Sequence, residues 1–291
     1  ANPEEEAQAI ALLVREAVAV PERRVAVVTP DRALAGRVVQ HLARWNIAAD
    51  DSAGRPLSQT AAGRVLLLLA EVAAEDAAPV PLLGLLGHPL MAAGEGRAEW
   101  LRGVRALDLA LRGPRRATGL ATLAAVAETA QIGTWWAGVA PLLAPLLEAG
   151  AAPGLADWLD RLATAGEAMC GEGLWAREDG RALATFVEEL RLQARMVELN
   201  LAPQELPRAL RDAMDRVAMR PSYGGHPRVA IYGLLEARMT RADLVICAGL
   251  NEGVWPPATA PDPLLPPAVL RALGVPGAEF RIGLSAHDLA G

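Results

Sequence analysis

Lysine is absent from the 291 residues: all 28 basic side chains are arginine. That absence removes several chemistries at once. A P-loop sets a lysine on the β- and γ-phosphates, and a Schiff-base enzyme needs an amine nucleophile. A nuclease centre joining acidic metal ligands to a lysine is excluded in the same way. With Arg, Ala, Gly and Pro abundant, the missing lysine reads as the mark of a GC-rich genome more than a physical need.

Cysteine is scarce. Cys170 and Cys247 lie far apart and follow no ligand spacing, so neither a disulfide framework nor a metal site is suggested. The histidines, His41, His88, His226 and His287, share no metal-binding spacing. Ser222 and Ser285 lack the context of a nucleophile elbow. Long apolar runs are missing too: the best candidate, Val65 to Ala70, is far too short to span a bilayer. The acidic opening, Ala1 to Glu6, lacks a signal peptide's basic flank. A soluble cytoplasmic protein without membrane contact is expected. The net charge of −6 gives no global attraction for phosphate, so a DNA role would rest on local arginine patches.

What is present is patterned. The length and the 52% hydrophobic content suffice for one large domain or two. Glu4 to Val18 has one apolar face and reads as a helix. Val25–Val28 is a β-branched run that predicts a strand buried on both faces. Thr29-Pro30-Asp31 supplies a turn and a cap for a helix from Arg32 to Trp45. A short strand is expected within 47–50 and another helix from Gln59 to Ala74. This order suits an α/β sheet. From Glu75 to Pro221 the chain is Leu- and Ala-rich, helical in pattern and punctuated by Pro and Gly. Strand signals return at Arg228–Tyr232 and at Leu244–Ala248, the latter again a double-sided apolar run. The simplest architecture is an α/β domain in two pieces, 1–74 and 222–291, with a helical domain, 75–221, inserted between them; consecutive separate domains are the alternative.

Four stretches carry a family resemblance: VAVVTPDRALAGRVVQHLARWNI, DDSAGRPLSQT, YGLLEARMTRADLVICAGLNEGVWP and RIGLSAHDLA. In this order they resemble the helicase-like region of AddB-type subunits, from bacterial helicase–nucleases that repair DNA double-strand breaks. The resemblance covers both flanking pieces; the middle matches only in composition and place. It implies a RecA-like sheet of the superfamily 1 second-domain type, split by the helical insertion. It also implies an AddA-type helicase–nuclease partner and DNA as the shared substrate. In that family an iron–sulfur cluster and a nuclease domain lie further toward the C-terminus. The chain stops without a terminal cap or strand, which fits an internal fragment, so no cofactor is expected in it.

The sequence departs from the pattern of an active helicase. Relatives carry an arginine after the motif IV strand, aimed at the γ-phosphate; here Asp31 stands in that turn and would repel a triphosphate. Arg32 replaces the arginine only with a shifted register, and otherwise flanks a plain helix cap. Motif V survives as Gly233 and Glu236, with Arg238 close by, and its threonine, histidine and lysine are gone. Glu236 suits a sugar hydroxyl or an ion pair with Arg238 or Arg241. These four, Arg32, Gly233, Glu236 and Arg238, are the candidate remnant of a nucleotide site. Candidate DNA contacts are Arg112, Arg115 and Arg116, the densest basic cluster, with Asn251 and Trp255 after the last strand. Trp255 fits either a base-stacking platform or a core anchor. No catalytic residue and no metal ligand is assigned. Three roles stay open: a silent DNA-contacting module, a docking module for the partner subunit, and half of an ATP-binding motor site.

Overall fold

The computed structural model describes residues 2–52, 54–113, 118–147, 153–197, 199–219, 225–251, 253–255 and 265–277, with Phe280, Gly283 and His287. The chain opens with α1 (Pro3–Val18), β1 (Val25–Val28), α2 (Arg32–Ala43), β2 (Asp50–Asp51) and β3 (Arg55–Pro56). Eight helices follow: α3 (Ala61–Ala74), α4 (Pro79–Leu86), α5 (Arg97–Leu111), α6 (Leu120–Thr129), α7 (Gly133–Leu147), α8 (Leu155–Cys170), α9 (Arg177–Val197) and α10 (Leu206–Met214). Then come β4 (Ala218–Met219), β5 (Val229–Tyr232), α11 (Leu234–Ala237), β6 (Leu244–Cys247) and α12 (Pro267–Ala272). Two compact units result. One joins Ala1–Gly54 to Arg220–Gly291, and the other is Arg55–Met219.

The first unit is mixed α/β. Its strands form one parallel sheet in the order β2-β5-β1-β6. Central β1 runs in register with both neighbours: Val25 faces Val229 and Leu244, and Val28 faces Tyr232 and Cys247. Strands at opposite ends of the sequence therefore share one sheet. Val25, Val27, Val229 and Ile231 turn one face onto α1 and α2, which also pack on each other through Ile10, Val14, Val38 and Leu42. Asn2 caps α1 by accepting the Glu4 N–H at 3.0 Å, and Glu4 reaches across to the buried His41 on α2, with Oε1 2.7 Å from Nε2.

The last strand differs from expectation. β6 is not buried on both faces: its residues alternate half-buried and exposed, with Val245 at 52% exposure and Cys247 also open. The reason is position. β6 ends the sheet, so Leu244 and Ile246 join the helical face while their neighbours look the other way.

The second unit is helical, and its boundary falls earlier than the sequence pattern suggests. α3 belongs to it rather than to the sheet. Its residues Val65, Leu66, Leu67 and Leu69 are fully buried in the helical core, where α3 meets α4, α7, α8, α9 and α10. A helix apolar all round is built for the centre of a bundle; covering one face of a sheet needs only one stripe. The two ends of this unit meet. β3 pairs antiparallel with β4, Arg55 opposite Met219, and the Leu57 N–H donates to the Val217 carbonyl at 2.8 Å. That pairing brings the two ends of the helical unit together.

Candidate functional site

In an open parallel sheet, ligands bind outside the carboxyl ends of the strands. Here that edge gathers the turn after β1 (Thr29 to Arg32), the end of β2 (Asp51 and Ser52), Gly233 after β5, and the loop Ala248 to Asn251 after β6. The parallel register places them together. Backbone bonds lace the strand ends: Thr29 N–H to the Tyr232 carbonyl at 3.1 Å, Ala248 N–H to that of Val28 at 2.9 Å, and Ser52 N–H to that of Ile231 at 3.0 Å. Gly249 has φ +72° and sits so close that a Cβ there would lie 2.8 Å from Thr29 Oγ1 and 3.3 Å from Asp31 Cβ. Glycine is needed at this position for both reasons. Gly249, the first residue of the GLNEG stretch, is thereby pressed against the turn after β1.

The donors that would hold a phosphate are largely occupied from within. Asp31 is the N-cap of α2: its Oδ1 accepts the Ala33 and Leu34 N–H groups at 2.9 and 3.0 Å. A carboxylate thus fills the place where a helix N-terminus would receive an anion. Glu6, reaching in from α1, accepts the Gly249 N–H at 2.9 Å. Arg32 is engaged by both oxygens of Asp51 and does not point alone into the edge. Glu236 folds back over its own turn, with Oε2 2.6 Å from where a Cβ of Gly233 would stand. Arg238 is exposed beyond α11. Of the four nucleotide-remnant residues, Arg32, Gly233 and Glu236 lie at this carboxyl edge.

The DNA candidates are scattered. Asn251 is exposed, and its carbonyl accepts the N–H groups of Val254 and Trp255 at 3.0 and 3.1 Å. Trp255 is buried, 4% exposed, and its Nε1 has no hydrogen-bond partner. A buried indole offers no open face to a base. Arg112 projects from the end of α5 and pairs with Asp108 at 2.7 Å, which raises its pKa. Arg115 and Arg116 lie outside the described residues.

Sequence reading missed the contributions of Glu6 and Asp51. Glu6 reads as an ordinary acidic residue in a first helical turn, and nothing local announces a partner 243 positions away. No helix among the described residues is long and apolar enough to cross a membrane, and no cluster of three metal-ligating side chains occurs among them. No protein-family model matches the chain, and no curated protein matches it.

The cap has a measurable consequence. Asp31→Ala is expected to destabilise the α/β unit by about 0.5–2 kcal/mol, the usual cost of an N-cap. Asp31→Ser keeps the cap and removes the charge, so it is expected to stay within a few tenths of wild type. Urea titration of both variants reads the difference. Equal losses for Ala and Ser would show that charge, not capping, is what Asp31 supplies.

Proposed function

We propose that this chain is a catalytically silent, RecA-like module of an AddB-type subunit, contacting DNA and an AddA-type partner during double-strand break repair. One observation carries the silence. At the carboxyl edge of the sheet the phosphate-seeking groups are already taken by Asp31, Glu6 and Asp51. The chain has no lysine to replace them. An incoming triphosphate would meet carboxylates at short range, where like charges repel most strongly. Support for the helicase-like part comes from the four sequence stretches together with the parallel sheet built from both ends of the chain.

The experiment is calorimetry with ATP and Mg²⁺, alone and with the AddA-type subunit added. The expected outcome is no binding to this chain and no turnover by it, with the two proteins nonetheless co-purifying. Micromolar ATP binding that disappears in Arg32→Ala would replace this reading with a working motor half. Failure to associate with the AddA-type subunit would remove the repair assignment.

A further inference from the structure

The outward face of α5 differs from the other charged surfaces of the helical unit. The inward side of this helix is set by Gly103, Val104, Leu107 and Leu111, all buried. At 100° per residue, Arg102, Arg105, Leu109 and Arg112 then fall opposite, within an arc of about 80°. All four are exposed, Leu109 at 64%. No acidic residue lies inside that arc; Glu99 and Asp108 stand at its margins. Among the described residues, Arg102 and Arg105 form no salt bridge. Arg112 is held by Asp108 through Nη2 alone, which leaves most of its five N–H donors available.

Several arginines on α9 and α10 are instead paired with carboxylates. On α9, Arg191 is shared between Asp160 and Glu188, and Arg195 lies 3.6 Å from Asp160. On α10, Arg208 faces Asp212 at 3.8 Å and Arg211 faces Glu71 at 2.8 Å. In a chain of net charge −6, α5 thus presents a concentrated positive strip about 15 Å long, from Arg102 to Arg112 at 1.5 Å per residue.

We infer that the outward face of α5, through Arg102, Arg105 and Arg112, binds the phosphate backbone of single-stranded nucleic acid. Charge complementarity selects a polyanion. Guanidinium groups offer forked donors to phosphate oxygens. The exposed Leu109 among them gives an unstacked base or sugar an apolar surface, which a duplex would not use. The inference rests on the reading of this chain as a DNA-contacting module, and it supplies the surface.

The test uses the full chain and fluorescent oligo-dT, with affinity followed across a salt series. Three phosphate contacts predict a log–log slope of about 2 in magnitude, at roughly 0.7 per contact on a single strand. The combined Arg102→Ala, Arg105→Ala and Arg112→Ala variant is expected to flatten that slope toward zero and to weaken binding about tenfold or more at low salt. These side chains face outward, so circular dichroism should be unchanged. An Arg195→Ala, Arg208→Ala double variant, equally exposed but acid-paired, is expected to bind like wild type. Oligo-dT binding that the triple variant retains, or that the control loses equally, overturns the α5 assignment and leaves the DNA reading standing. Absence of any binding at low salt overturns both. A duplex that binds tighter, or polyglutamate that competes as well as DNA of equal charge, overturns the choice of a single strand.

Discussion

Trp158→Ala is expected to cost the helical unit about 3–5 kcal/mol, the range for emptying a buried aromatic site. Among the described residues, Trp158 is the largest side chain with no exposure. It stands on α8, which packs against α3, α7 and α9, so the hole would open where four helices meet. Its Nε1 also donates to the Leu201 carbonyl at 3.2 Å, fastening the strand-like stretch after α9 to the core. Truncation leaves that carbonyl without its donor, which adds about 1 kcal/mol or more if water cannot reach it. Trp158→Phe keeps most of the apolar volume and loses only the hydrogen bond and part of the ring. It should recover more than half of the deficit. Five of the seven tryptophans lie in this unit, so fluorescence-detected urea unfolding follows it selectively. A shift under about 1 kcal/mol for the alanine variant would mean that the core collapses into the space, and that the packing around α8 is looser than described.

The parts of this fold that were legible in the sequence are those with a local cause. Val25–Val28 reads as a strand because a β-branched run admits little else. α6 likewise follows from apolar spacing, with Leu123, Val126 and Ala127 buried on one face. Other elements needed information that is not local. α7 spans Gly133–Leu147 across prolines that would ordinarily interrupt a helix. Pro141 and Pro145 sit inside it, and Trp136, Val139, Leu143 and Leu146 are buried along it. Burial of that seam offsets a proline penalty of about 3 kcal/mol each. The pairing of β3 with β4 is only two residues long on each side and carries no strand pattern at all.

The candidate site divides in the same way. That Asp31 caps α2 is readable from Thr29-Pro30-Asp31 alone. That Glu6 satisfies the Gly249 N–H depends on how α1 docks, which no spacing announces. The buried state of Trp255 was open in sequence because a Trp beside Pro suits a platform as well as a core. The central contrast of the site, an edge with the topology of a ligand site and the electrostatics of a closed one, therefore emerges only when long-range contacts are added to local motifs.

Gly63→Ala is expected to destabilise by about 1–3 kcal/mol or more through overpacking, whereas Gly36→Ala is expected to stabilise by about 0.8–1 kcal/mol. Both glycines sit in helices, where alanine is ordinarily the better residue. Their surroundings reverse the sign. A Cβ on Gly36 meets nothing within 4 Å, so α2 would gain the propensity term unopposed. A Cβ on Gly63 would lie 1.9 Å from the Leu57 carbonyl oxygen and 2.9 Å from Met214 Cε. The methionine can swing aside; the carbonyl cannot. It accepts both the Thr60 N–H at 3.1 Å and the Thr60 hydroxyl at 2.8 Å. Leu57 is also anchored through its own N–H to the Val217 carbonyl at 2.8 Å. Thr60 in turn caps α3 by accepting the Gly63 N–H at 3.1 Å. Relief of the clash would therefore have to move the cap of α3, the turn before it and the clasp between the two ends of the helical unit together. Thermal or urea unfolding of the two single variants reads the opposite signs directly. If Gly63→Ala proved neutral or stabilising, α3 could not lie against Leu57 as described.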